Sequence, residues 1–364
     1  MADRSRESDD HPKPPDHPKP PDRRWWESWA ALGTAIATGV IALVAVLTLT
    51  SSSSSSSSSS GPTSSVTTPA PKTPSPSTIP PIASEPPVCA AGTLQLIGST
   101  AFTPIAQDAA NAYARDCRSF KINISVSGGD SAYGLSQVQY AVTHHPSSAG
   151  SMIAMYDGLS SDSAGLRPYP MGVVIYAVVE HTGLLPNFNI TVSTLREIFA
   201  NGKKGYKGYV AVGRRAGSGS RLTFITKVLN LKPNSQDIMP DQGNNCPKPT
   251  NCTEDSTQDL LKFVNGTPNT IGYAELLQAN AGAYQNVSVL SIGNIEPTPG
   301  NVRNGKYGFW IVEHLYAAMQ PTTLAKDFLN FVPQYIEHME SNPPPYFIPC
   351  SGMPEKLVGA DCRA

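Results

Sequence analysis

The sequence has no excess of charge of either sign. Its 364 residues include 27 Lys and Arg against 28 Asp and Glu, which gives a net charge of −1. Proteins that bind nucleic acids usually carry a basic stripe, and nothing in this balance favours such a partner. A near-neutral surface exerts little long-range attraction on anions, so any anion site must be local.

Motifs that are typical of enzymes and of metal sites are missing as well. There is no C-x-x-C pair and no Cys/His cluster at zinc spacing, which leaves a metal site without support. There is also no G-x-S-x-G nucleophile elbow. His181, His314 and His338 occur singly, as structural histidines usually do. We therefore expect neither catalysis nor a cofactor.

Cysteine is absent from the chain before residue 89, and the cysteines that follow are even in number. They are Cys89, Cys117, Cys246, Cys252, Cys350 and Cys362. Cysteines confined to one side of an apolar segment indicate disulfides in an oxidising compartment. We favour pairing between nearest neighbours in the sequence, while other pairings and buried free thiols stay open.

The beginning of the chain predicts a membrane anchor. Residues 1–24 contain a proline-rich unit, Asp-His-Pro-Lys-Pro-Pro, written twice, and are predicted to be disordered. Trp29–Thr50 carries no charge and is long enough to cross a bilayer core of about 30 Å, so we predict a transmembrane helix at 25–50. Residues 51–90, rich in Ser, Thr and Pro, are predicted to form a stalk.

Charges beside the predicted helix indicate its orientation. Arg23 and Arg24 precede it, whereas Ser51–Ser60 follows without a positive charge. The positive-inside rule then places the N-terminus in the cytoplasm and the rest of the chain outside the cell membrane, as a single-pass protein. A cleaved signal peptide is the alternative.

After Gly92 short apolar strands alternate with helical segments. Thr93–Ile97, Ile122–Val126 and Ile153–Met155 are predicted strands, and Met171–Val179 has the continuous apolar character of a strand buried on both faces. A helix is predicted at Thr191–Asn201 with Thr191 as its cap. This alternation favours an α/β fold with largely parallel sheets.

Three loops between a predicted strand and a predicted helix are rich in glycine and small hydroxyl residues: Gly98–Phe102, Ser127–Gly134 and Arg214–Arg221. Ligands of open α/β sheets bind at the carboxyl ends of strands. The N–H groups at the starts of helices favour anions there. The loops therefore predict an anion site.

The Arg214–Phe224 loop, with Ile271-Gly-Tyr273 behind it, is the most specific of several recognisable segments. The others are Leu96–Pro104, Ser131–Leu135, Ile153–Asp157, Thr191–Phe199, Pro268–Tyr273, Pro297-Thr298 and Lys306–Trp310. In this order they resemble the phosphate-binding proteins of bacterial ABC transporters, which have the type II periplasmic-binding-protein fold. The resemblance covers about residues 92–335.

This resemblance implies a set of phosphate donors made of hydroxyls, backbone N–H groups and one arginine. They would be Ser99, Thr100, Phe102, Ser131, Arg214, Ser218, Gly219 and Ser220. Arg215 is adjacent to Arg214 and stays open as the arginine concerned. A guanidinium suits phosphate because it can donate two parallel charge-assisted hydrogen bonds.

Asp157 would distinguish phosphate from sulfate. Phosphate near neutral pH retains a proton that a carboxylate can accept, whereas sulfate has none and would be repelled. A turn aspartate before Gly158 is the simpler alternative. Asp130 and Tyr156 depart from the pattern of the family, so another oxyanion also stays open as the ligand.

The resemblance also implies two α/β lobes within a domain at 91–364. The first lobe would comprise 92–170 and 274–364, and the second 171–273, with crossing segments near Tyr169–Val173 and Thr270–Tyr273 and the ligand between the lobes. We expect a monomer that delivers phosphate or a related oxyanion to an ABC permease. A membrane-anchored sensory or scavenging ectodomain of the same fold is the alternative.

Overall fold

The computed structural model describes residues 87–200, 208–233, 246, 251–340 and 346–363. All of them belong to one unit, Pro80–Ala364. The predicted tail at 1–24, the predicted transmembrane helix at 25–50 and nearly all of the predicted stalk at 51–90 lie outside the described residues. Within the described ranges, every helix is too short or too polar to cross a membrane.

Strands and helices alternate along the unit, as the sequence predicts. The strands are β1 Gly92–Gly98, β2 Ile122–Gly128, β3 Met152–Asp157, β4 Leu166–His181, β5 Asn189–Ile190, β6 Val210–Arg214, β7 Cys252–Glu254, β8 Thr270–Glu275, β9 Val287–Ile292, β10 Trp310–Ala318 and β11 Phe347–Pro349. The helices are α1 Thr103–Asp116, α2 Ser131–His144, α3 Pro146–Ala149, α4 Val192–Phe199, α5 Gly219–Thr223, α6 Thr257–Gly266, α7 Leu276–Ala279, α8 Pro299–Arg303, α9 Thr323–Glu340 and α10 Glu355–Val358.

The sheet has the strand order β2-β1-β3-β10-β4-β8-β6-β7. Strand β1 pairs in parallel with both β2 and β3, and β6 pairs in parallel with β7 and β8. Between these two parallel groups, β10 is antiparallel to β3 and β4, and β4 is antiparallel to β8. Because parallel neighbours end at the same edge of a sheet, the loops after β1 and β3 are brought together.

Strand β4 connects the two groups. Its residues up to Ile175 pair with β10, and those from Tyr176 onward pair with β8. The predicted strand at Met171–Val179 is therefore present and is buried along its whole length. Its Val and Ile side chains face neighbours on both sides, which is the environment that a continuous apolar run predicts.

Strand β9 follows the segment Thr270–Tyr273, where the sequence predicts a crossing between the lobes. Strand β9 lies in the range 274–364 that was assigned to the first lobe, and it pairs with Val178–His181 of β4, on the edge opposite to β8. The chain thus returns to the first strand group after β9. Which sheet a strand joins depends on contacts far away in the sequence, so a local pattern does not reveal it. The lobe limits themselves stay a prediction.

Disulfides join each cysteine to its nearest neighbour in the sequence. The pairs are Cys89–Cys117, Cys246–Cys252 and Cys350–Cys362, with Cα–Cα distances of 5.6, 5.1 and 5.5 Å. The first pair fixes the start of the domain, where Tyr113 also donates a hydrogen bond to the carbonyl of Val88 at 2.9 Å. The chain is therefore attached to the folded unit from Val88 onward.

Gly134 sets the distance between α2 and β1. A methyl group at this position would lie 2.3 Å from the carbonyl oxygen of Ile97 and 2.6 Å from the Cα of Gly98. The helix backbone therefore rests directly on the end of β1, which is the edge from which the Gly98–Phe102 loop begins.

We predict that Gly134→Ala destabilises the domain. In an unconstrained helix this change would stabilise by up to about 1 kcal/mol, whereas here the methyl group would push backbone atoms apart and should lower the free energy of unfolding by about 1–3 kcal/mol. Urea unfolding measures the difference. Gly300→Ala in α8 is the control, because a methyl group there has no other atom within 4 Å. Equal stability of Gly134→Ala and the wild type would contradict this packing.

Candidate functional site

The loops predicted from the sequence meet at the ends of β1, β3 and β6. Ser99 follows β1, Asp157 ends β3, and Arg214 ends β6. Ser131 begins α2, and Ser218–Ser220 lies at the start of α5. The strand pairing accounts for this meeting, because it places the carboxyl ends of β1 and β3 side by side.

The Asp157 carboxylate lies at the centre of this group. It accepts hydrogen bonds from the hydroxyls of Ser99 at 3.0 Å, Ser131 at 3.0 Å and Tyr176 at 2.8 Å. Only 5% of the residue is exposed. A buried carboxylate is costly unless it is hydrogen-bonded, so these three hydroxyls stabilise it in place.

Gly219 packs against Asp157 from the opposite strand group. A Cβ atom at position 219 would lie 2.2 Å from the Cβ of Asp157, so a side chain at this position would collide with the carboxylate residue. Glycine therefore lets the backbone of the Ser218–Ser220 loop approach Asp157 closely. Ser218 and Ser220 lie on either side, both buried, with their hydroxyl oxygens 2.8 Å apart.

Arg214 is a buried cation whose hydrogen bonds span both strand groups. Its Nη1 donates to the hydroxyls of Thr100 and Thr257, each at 2.9 Å. Its Nη2 donates to the carbonyl of Asp255 at 2.7 Å, and its Nε to that of Glu254 at 3.2 Å. Burial lowers the pKa of Arg214, and the negative charge of Asp157 is among the groups that oppose this shift. An arginine keeps its charge in proteins, so the site contains a fixed positive charge.

The first of the three loops contributes mainly backbone and hydroxyl groups. The Phe102 side chain is wholly buried, with its ring centroid 5.6 Å from that of Phe347, and its backbone N–H donates to Ser99 Oγ at 3.2 Å. Thr100 is partly exposed and its carbonyl accepts a hydrogen bond from Gln278 at 2.9 Å. The N–H of Phe102 thus bonds to Ser99, its ring belongs to the core, and its contact with a ligand stays a prediction.

The two adjacent arginines have different partners. Arg215 lies outside the buried group and forms ion pairs with Asp130 at 2.7 Å and Asp255 at 3.2 Å. Asp130, the unexpected carboxylate beside Ser131, is thereby neutralised. It also caps α2 by accepting the backbone N–H of Tyr133 at 2.7 Å. Of the two arginines, Arg214 is the buried one.

Tyr156 points away from the site. Successive side chains of a strand alternate between its faces, so Tyr156 lies opposite to Asp157. Its ring packs edge-on against Tyr316 with centroids 5.8 Å apart. This departure from the family's pattern therefore leaves the surroundings of Asp157 unchanged.

Thr257 and Tyr176 contact the predicted residues but were missed in the sequence. Thr257 begins α6 behind Ser256, which caps the helix by accepting the N–H of Asp259 at 3.0 Å. The spacing from Ser256 to Asp259 is close to that of a capping box and indicates a helix start. Tyr176 lies within an apolar run, where nothing local shows that its hydroxyl faces Asp157.

The described residues contain no cluster of three or more His, Cys, Asp or Glu that could hold a metal ion. A cleft of about 540 Å³, lined by residues that include Phe188, Leu290, Pro297 and Tyr346, shares no residue with the group around Asp157. The groups around Asp157 that could bind a ligand are hydroxyl and N–H donors, the guanidinium of Arg214 and the carboxylate of Asp157 itself.

The family described as "PBP superfamily domain" matches residues 83–333. The chain belongs to this superfamily. Among curated relatives of this PBP domain, the phosphate-binding protein PstS of Bacillus subtilis (strain 168) is 28% identical over 252 residues, which cover 67% of this chain and 76% of the relative.

A solved structure shows the same fold for the PBP domain. It is the putative phosphate ABC transporter substrate-binding protein of Clostridium perfringens, with bound phosphate. The TM-score is 0.57 at 19% identity, and the match covers 71% of this chain and 99% of the other. The fold and the family resemblance predicted from the sequence are thus confirmed, and the ligand contacts of the individual residues stay a prediction.

We predict that Asp130 stabilises the domain through two separable contacts, its helix cap and its ion pair with Arg215. Asp130→Ala removes both and should lower the free energy of unfolding by about 1–2 kcal/mol. Asp130→Asn should lower it less, because asparagine caps helices about as well as aspartate. Urea unfolding compares the two variants. Equal losses would show that the cap contributes nothing.

Proposed function

We propose that the domain binds phosphate or a closely related oxyanion outside the cytoplasm, as the receptor of an ABC transporter. The observation that carries this proposal is the meeting of Arg214, Gly219 and the serine hydroxyls around the buried Asp157 carboxylate. A cation and neutral donors beside a single acceptor suit an anion that still bears a proton.

The donors that we propose for an oxyanion are bonded within the protein. Ser99 and Ser131 now donate to Asp157, Ser218 bonds to Ser220, and Arg214 donates to neutral oxygens. An entering oxyanion would replace these partners with charged oxygens. Hydrogen bonds from an arginine to an ionised oxygen are roughly twice as strong as neutral ones, which favours the exchange.

Asp157 would allow the site to select phosphate over sulfate. Its carboxylate can accept the proton that phosphate carries near neutral pH, whereas sulfate would place oxygen acceptors and negative charge against it. The similarity to the phosphate-binding protein of Bacillus subtilis supports phosphate as the ligand.

Anchoring belongs to the same proposal. The uncharged segment at Trp29–Thr50 and the preceding Arg23 and Arg24 support a single-pass protein whose binding domain lies outside the cell membrane. Transport receptors of this kind deliver their ligand to a permease, and we propose the same step for this protein.

We predict that the purified protein binds phosphate and excludes sulfate, and that Asp157→Asn binds sulfate as well. The asparagine side chain has an N–H₂ group that can donate to an anion with no proton, and it removes the repelling charge. Isothermal titration calorimetry with each anion measures both effects, and the preference for phosphate over sulfate should fall at least tenfold in the variant.

Asp108→Asn is the matched control, because Asp108 is an exposed carboxylate of α1 outside the site. It should keep the selectivity of the wild type. A folded wild-type protein that gives no heat with either anion would refute the phosphate proposal. Binding that excludes sulfate equally in the wild type and in Asp157→Asn would refute the role of Asp157.

A further inference from the structure

A second carboxyl group lies against Asp157. Glu313 of β10 is directly opposite Asp157 of β3 in the antiparallel pairing of the two strands. Residues directly opposite in such a pair have their side chains on the same face, with Cβ atoms about 5 Å apart. Glu313 has no exposed surface, so the two carboxyl groups share one buried space.

Three hydroxyl groups around this pair donate their hydrogen bonds to Asp157. The hydroxyls of Ser99, Ser131 and Tyr176 point to it. In the described part of the chain, neither carboxyl oxygen of Glu313 has a partner at hydrogen-bond distance and angle, although this carboxyl faces Asp157, the Ser99 hydroxyl and the backbone of Tyr156. An ionised carboxylate can accept a hydrogen bond but cannot donate one. Two carboxyl groups in contact therefore form a hydrogen bond only when one of them holds a proton.

Within the described residues, the titratable groups that act most strongly on Glu313 are carboxyl and phenol groups, which carry no positive charge. They are Asp157 on β3, Tyr176 on β4, and Tyr316 on β10 itself, while Glu275 of β8 lies near Tyr176. The cation of Arg214 acts on Asp157 and Tyr176. Burial raises the pKa of Glu313 well above its usual value, and the negative charge of Asp157 raises it further.

We propose that Glu313 holds a proton at neutral pH and donates it in a hydrogen bond to Asp157, so that the pair brings one negative charge to the oxyanion site and not two. This inference rests on the proposed function of that site. Asp157 remains the ionised acceptor for the proton of the ligand. Glu313 is a positioning residue that acts through Asp157, and its proton stays on its own carboxyl.

The stability of the full-length protein as a function of pH tests this assignment without any ligand. Unfolded Glu313 would lose its proton near pH 4.3, its ordinary value, while folded Glu313 would keep it. The wild type should therefore lose stability, relative to Glu313→Gln, as the pH rises above about 5. The ratio of the two folding equilibrium constants, variant over wild type, should rise by up to tenfold per pH unit from about pH 5 through neutral pH.

Glu180→Gln is the matched control, because Glu180 is also fully buried and no described group meets its carboxyl oxygens at hydrogen-bond distance and angle, although the backbone of Leu184 and Leu185 lies near. Burial raises the pKa of Glu180 to about 7, so the corresponding ratio should stop rising near that pH. A ratio for Glu313→Gln that stays constant between pH 5 and pH 8 would overturn the proposal, because a purely structural glutamate would show such a constant effect.

Infrared spectroscopy tests the contact with Asp157. The difference spectrum of wild type minus Glu313→Gln at pH 7 should contain the carbonyl band of a protonated carboxyl group, and this band should shift in an Asp157→Asn background. Bands of an ionised carboxylate in its place would refute the proposal. Neither measurement uses phosphate, so each can fail while the phosphate titration succeeds, and the reverse also holds.

Discussion

Asp157 is a carboxylate placed where water hardly reaches it, and the donors that satisfy it come from three different parts of the chain. Ser99 follows β1, Ser131 begins α2, and Tyr176 belongs to β4. Burial without these hydrogen bonds would cost several kcal/mol. The need to satisfy one carboxylate therefore constrains the relative positions of the elements from which the proposed oxyanion site is built.

The same constraint extends to the second strand group. Gly219 has no side chain, so its backbone can pack against Asp157, and Arg214 reaches Thr100 at the end of β1. The carbonyl of Gly217 accepts a hydrogen bond from the N–H of Ala132 at 3.1 Å. A ligand that enters between these loops would replace such contacts with hydrogen bonds to its own oxygens. Binding would then be coupled to the distance between the two strand groups.

Local sequence patterns were sufficient for the strand-end loops, since an apolar strand, a Gly/Ser loop and a helix start are all local features. They could not separate Arg214 from Arg215, because adjacent residues at a strand end point in opposite directions and the last paired residue of β6 is set by its pairing with β7. Glu313 was also missed, because its position opposite Asp157 arises from the pairing of strands that are distant in sequence. Asp130 can be recognised in the sequence as a departure from the family's pattern. Its explanation, an ion pair with Arg215, is visible only in the structure.

The most direct test of the oxyanion site is a crystal structure of the protein with arsenate, a tetrahedral oxyanion that carries a proton as phosphate does. The anomalous signal of arsenic marks its position independently of the surrounding density. We predict one arsenic peak, at a position where the arsenate oxygens lie within hydrogen-bond distance of Asp157, Arg214 and the Ser218–Ser220 loop. A protein saturated with arsenate whose peak lies elsewhere, for example in the cleft beside Phe188 and Tyr346, would contradict it.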